Sequence, residues 1–191
     1  MKKHFLPLPH IASALLTSLL LLTSVPSSAE EIPAELTQEL PTLQSWSTDP
    51  VLVEAVKQQN AQHISLDDIK ARDESWRNTS GVDAFMDAMM KSPAALHMLE
   101  LEKSKPYLTE LFLMDNQGAN IAMTNKTSDY WQGDEDKFTE SFKGGQGATH
   151  LGDVEFDEST QAYLIQVSIP IMDAGKAIGA MTIGVNLDEM K

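Results

Sequence analysis

The hydrophobic period of this chain changes once, near its middle. Up to about Lys103, apolar residues recur at helical spacing. Leu52, Ala55, Val56 and Gln59 share one face, and Ile69, Asp73 and Trp76 share another. Val82, Phe85, Met86, Met89 and Met90 form a further stripe. From Tyr107 on, two segments read instead as strand, turn, strand. In "YLTELFLMDNQGANIAMTN" the run Leu111 to Met114 meets the turn Asp115-Asn116-Gln117-Gly118. In "YLIQVSIPIMDAGKAIGAMTIGVNL" Tyr163, Ile165, Val167 and Ile169 alternate with smaller or more polar residues. Asp173-Ala174-Gly175 then turns the chain into a return strand, Ile178 to Val185, in which Gly179 and Gly184 permit twist or close packing. Helices first and antiparallel strands afterwards predict an α+β fold.

Local signals punctuate the helical half. Thr48 or Asp49 can cap a helix that has Pro50 in its first turn. "SLDD", Ser65 to Asp68, is a capping box with Asp in place of Glu. Ser92-Pro93 restarts the helix, which Ala95, Leu96 and Leu99 continue. Residues 30–47, with Pro33 and Pro41, read as a lead-in or a first helix. Between the hairpins lie an aromatic segment, a short helix through Phe142, and the Gly-rich loop "KGGQGATHLGD".

The N-terminus carries a different signal. A basic start, "MKKH", precedes the apolar run "IASALLTSLLLLTSV", and Ser27 to Ala29 supply small residues for cleavage. Residues 1–29 are therefore predicted to be a secretory signal peptide, with an uncleaved membrane anchor as the alternative. The expected location is periplasmic or secreted, with no stable membrane span after cleavage. Losing Lys2 and Lys3 takes the formal net charge from −14 to −16. Such a surface repels nucleic acid and anionic lipid. Cysteine is absent, so no disulfide supports an exported domain and its core must suffice.

Catalytic patterns are missing from the sequence: it has no GxSxG, HExxH or P-loop run. His63, His97 and His150 are scattered, without metal-site spacing. Asp134, Glu135, Asp136 and Glu140 in "GDEDKFTE" lack the glycine and length of a calcium loop, and read as acids favouring a helix N-terminus. "KGGQG" reads as a connection. No catalytic residue, metal or cofactor is predicted, and the chain is not expected to be an enzyme; an unrecognised hydrolase is the remote alternative.

Aromatic side chains remain. Tyr130 and Trp131 stand side by side in the polar stretch "TSDYWQGDEDKF". Neighbours in extended chain face opposite ways, so two separate apolar environments are required there. One is expected to be the core and the other a ligand cavity.

The pattern resembles the extracytoplasmic Cache (PAS-like, or PDC) sensor domains. Three pieces carry the resemblance: "DPVLVEAVKQQNAQHISLDDIKARDESWR", "ELFLMDNQGANIAMTNKTSDYWQGDEDKF" and "AYLIQVSIPIMDAGKAIGAMTIGVNLDEM". It implies a single Cache domain over residues 48–191, with an antiparallel sheet of five or six strands packed on a long N-terminal helix. It also implies a small-molecule site between the sheet and a lid segment after the first hairpin. Tyr130 and Trp131 fall on that lid, with Trp131, the larger ring, preferred as pocket wall. Tyr163 and Gln166 on the late strand are further candidates, and Tyr107 and Lys126 complete the ligand-binding set.

Two departures qualify the resemblance. Amino-acid-sensing members carry an Arg shortly before the lid aromatics, where Lys126 is the nearest cation here. They also carry an Asp in the last strand, where this chain has Gly184. An ammonium ligand is therefore not expected, and amino-acid sensing is put in doubt. Family members also feed a signalling domain, whereas this sequence stops at Lys191. The expected function is an exported small-molecule-binding sensor that lacks its own output and acts through a partner, such as a membrane receptor or transporter. The alternative is a structural or interaction module with a vestigial pocket.

Overall fold

The computed structural model describes residues 32–157 and 161–190. The expected signal peptide, residues 1–29, lies outside the described residues. Helices fill the first half: α1 (Ala34–Ser45), α2 (Pro50–Asn60), α3 (Leu66–Arg77), α4 (Ala84–Met90) and α5 (Pro93–Lys103). The second half supplies β1 (Leu108–Met114), β2 (Asn120–Met123), α6 (Asp136–Phe142), β3 (His150–Leu151), β4 (Glu155–Asp157), β5 (Ala162–Asp173) and β6 (Lys176–Asn186). The class is α+β, as the change of period requires.

The expected long N-terminal helix is instead a series of five, each 7 to 12 residues long. The breaks are chemical. Proline at the start of α2 and of α5 lacks the N–H a continuing helix needs and clashes with the preceding turn. Each restart is capped: Asp49 accepts from the N–H groups of Val51 and Leu52, Ser65 from Asp68, Asp83 from Met86, and Ser92 from Ala95. In the Ser65 box the hydroxyl also donates to the Asp68 carboxylate at 2.6 Å. Two apolar positions of the helical pattern are surface residues: Val82, which precedes α4, is 50% exposed, and Leu96 on α5 is 52% exposed. The segment read as lead-in or helix is helical over α1, whose Leu36 and Leu43 enter the core.

All strand pairs are antiparallel, in the order β2-β1-β6-β5-β3, with β4 also on β5. The side-chain period of two gives the sheet two distinct faces. Leu111, Leu113, Ile165, Val167, Ile169, Met181, Ile183 and Val185 pack against α1, α2 and α5. Phe112, Met114 and Ala180 face the other way, onto Ile69, Trp76, Met86, Met89, Tyr130 and Phe138. The β5–β6 turn has both central residues at positive φ, Ala174 at 48° and Gly175 at 80°, as a tight hairpin demands.

Candidate functional site

The lid, residues 124–135, leaves β2 and leads to α6. Its path is set from α3. The Asp73 carboxylate is buried and accepts the backbone N–H groups of Tyr130 (2.9 Å) and Trp131 (3.1 Å), while Arg77 one turn later pairs with it at 3.1 Å. Trp76 adds an indole N–H to the Thr127 carbonyl at 2.9 Å. Asn120 closes the base of the lid, donating to Thr127 and to the Asp129 carbonyl.

The adjacent rings do occupy separate environments. Tyr130 is 2% exposed, with its ring 5.7 Å from Trp76 and 5.8 Å from Phe85. Burial is the main reason its phenol pKa is pushed up to about 12, with the nearby Asp115 carboxylate adding to the effect. Trp131 folds back over the β1–β2 turn, donating from its indole to the Gln117 carbonyl at 2.8 Å beneath the Lys70 ammonium, 4.5 Å from the ring centre. A side chain at Gly133 would collide with that indole and with the same carbonyl, so the close fold-back needs glycine there.

Beyond the lid, a cavity of about 1100 Å³ opens on the sheet face that carries Phe112. Its floor is a row across three strands: Glu110 pairs with Gly184, and Gly184 with Gln166. Glu110 and Gln166 meet over the glycine, with Gln166 Nε2 donating to Glu110 Oε1 at 3.2 Å. A Cβ at residue 184 would lie 2.6 Å from Thr109 Oγ1 and 2.7 Å from Glu110 Cγ, so glycine leaves the room Glu110 occupies. Asp134 to Lys137 form the lid-side wall, and His150 to Asp153, Glu155 and Phe156 the far wall. Lys137 pairs with Glu135 at 3.0 Å.

Of the six candidates from sequence, Gln166 lines this cavity. Tyr130 and Trp131 are not among its lining residues; both hold the lid to α3 and to the β1–β2 turn. Tyr163 is 46% exposed and packs on Phe156, ring centres 5.2 Å apart. Tyr107 donates to Glu39 on α1 at 2.8 Å. This bond chiefly lowers the Glu39 pKa, while burial, then Glu39 itself, raises that of the Tyr107 phenol. Lys126 donates to the carbonyls of Thr79 and Gly81, closing the α3–α4 connection. Glu110 is not singled out by the sequence pattern, which gives the lid carboxylates first as helix-start residues. A glutamate amid the apolar residues of β1 was the available signal.

The family model described as "Double sensory domain of two-component sensor kinase" matches residues 90–190. The chain belongs to this family of Cache sensor domains, which are extracytoplasmic. No curated protein matches the sequence. Among solved structures, the sensor domain of the V. cholerae histidine kinase DctB is 15% identical, with 81% of this chain and 50% of that one covered and a TM-score of 0.42. The ligand-binding domain of the Pseudomonas aeruginosa PAO1 amino acid chemoreceptor PctC, in complex with GABA, is 12% identical over 81% and 59%, TM-score 0.38. The sensory domain of the Campylobacter jejuni chemoreceptor Tlp3 is 15% identical over 82% and 65%, TM-score 0.38. The chain thus spans between half and two thirds of the length of these structures. All are sensory or ligand-binding domains.

Proposed function

We propose that this protein is an exported small-molecule-binding sensor domain, that its ligand occupies the cavity between the sheet and the lid, and that it acts through a partner. The observation that carries the reading is the floor of that cavity. Glu110 and Gln166 converge over Gly184 at the open end of a sheet face whose other end is packed by Phe138 and Tyr130. A concave site with a few convergent polar groups is the usual form of a small-molecule site. Gln166 and Glu110 are the ligand-contacting residues of this reading, and Tyr130 and Trp131 position the lid. A module with a vestigial, side-chain-filled pocket has the open cavity against it.

The lid also offers a route for the signal. A ligand touching Asp134 or Asp136 pulls on a segment that Asp73 ties to α3, so binding is felt in the helical layer. Among the described residues no helix is long and apolar enough to cross a membrane. The partner proposed to take up the signal is a membrane receptor or transporter.

The test is a thermal-shift screen of the purified protein against small carboxylates, amines and purines. A ligand at 100 times its Kd stabilises the folded state by about 2.7 kcal/mol. The expected result is one class that raises the melting temperature in the native protein and fails to do so in a folded Gly184→Leu, whose side chain displaces Glu110 from the floor. Absence of any stabilising class, or a shift unchanged in Gly184→Leu, overturns the reading.

A further inference from the structure

We infer that the cavity takes an elongated organic cation, an aliphatic diamine or polyamine, with Glu110 as a specificity-determining acceptor. The inference rests on the proposed ligand site and adds the charge and shape of what enters it. The lining is strongly one-sided. Glu110, Asp134, Glu135, Asp136, Asp153 and Glu155 bring six carboxylates to it. The single lining lysine, Lys137, is spent on Glu135 at 3.0 Å. An anionic ligand would enter against this field with no guanidinium or unpaired ammonium on the lining to receive it, whereas a cation is drawn in.

The carboxylates come from three walls: the floor, the lid and the β3–β4 side. Among the described residues no group of three or more His, Cys, Asp or Glu side chains could hold a metal ion. Negative charge spread over a cavity of about 1100 Å³ suits positive groups held apart, not one compact ion. Leu151, Leu164 and Phe156 share the lining and offer apolar surface to a methylene chain. Glu110 is the oriented member of the set. Gln166 holds its Oε1, and a carboxylate keeps further acceptor capacity for a ligand N–H. Gly184 itself carries no side chain, and the neighbouring strand supplies the carboxylate there, because Glu110 projects over that glycine.

Isothermal titration of the purified protein with 1,4-diaminobutane, succinate and calcium chloride at matched ionic strength tests this. The expected result is saturable binding of the diamine, no binding of the dicarboxylate, and only weak displacement by calcium. Glu110→Gln should weaken diamine binding about tenfold or more, the range for a lost hydrogen bond between charged groups. Should Glu110→Gln misfold, the exposed lid pair Asp134→Asn/Asp136→Asn reports instead, with a several-fold loss. Diamine affinity unchanged in a folded Glu110→Gln and in the lid pair overturns the assignment, as does calcium competing as well as the diamine. If succinate or another non-cation binds and the diamine does not, the charge inference falls while the sensor reading stands. If the diamine and every class in the wider screen fail, both fall.

Discussion

The Asp73 carboxylate on α3 accepts the backbone N–H of Tyr130, fifty-seven residues later in the chain, at 2.9 Å. With the second bond, from Trp131, one buried carboxylate fixes the start of the strip that walls the cavity. Removing it orphans two amide donors and leaves Arg77 without its partner. Asp73→Ala should lower stability by about 2–4 kcal/mol, whereas Asp73→Asn, which keeps an acceptor oxygen, should cost about half as much. Urea denaturation of both variants checks the ordering.

The two lid rings should differ in what they contribute. Tyr130 is enclosed by Trp76 and Phe85, so Tyr130→Ala should cost about 3–5 kcal/mol. Trp131 is only half-buried, and Trp131→Phe, which chiefly deletes the bond to the Gln117 carbonyl, should cost about 1 kcal/mol. Chemical denaturation measures both. Equal losses would mean that the indole is as deeply engaged in the core as the phenol.

Alkaline pH should probe Tyr130 directly. Burial raises its folded-state pKa above the unfolded value of 10, to about 12. A raised pKa means the unfolded chain loses the proton first. The contribution is therefore intact below pH 10 and is lost as pH climbs towards 12, at about 1.4 kcal/mol per unit. Stability of the native protein should fall more steeply over that window than stability of Tyr130→Phe, measured by denaturant midpoints at successive pH values.

Ala174 sits at φ 48° in the β5–β6 turn, where a Cβ is strained. Ala174→Gly should raise stability by about 0.5–1 kcal/mol, and Ala174→Asn by somewhat less, without touching the cavity. A raised melting temperature with unchanged ligand response is the expected outcome.

Much of the architecture is written locally. The helical stripes, the caps at Asp49, Ser65 and Ser92, and the turns at Asp115–Gly118 and Asp173–Gly175 each depend on residues within a few positions of one another. Sequence alone therefore determined the class, the two hairpins and the face of α3 that turns inward, Ile69, Asp73 and Trp76. It also marked Tyr130 and Trp131 as residues of two environments. Which environments these are was decided by α3, whose Asp73 and Lys70 come from far away in the chain. The cavity floor was decided in the same non-local way. Leu108 pairs with Val185 but Glu110 pairs with Gly184, so one extra residue on β1 shifts the register between them. Simple alternation would set Glu110 on the same face as Leu108, in the core. The bulge turns it to the opposite face, over a glycine and beside a glutamine from a third strand. Strand register depends on pairing between segments more than fifty residues apart, and no local pattern encodes it, so the tertiary structure alone placed the carboxylate on the cavity floor.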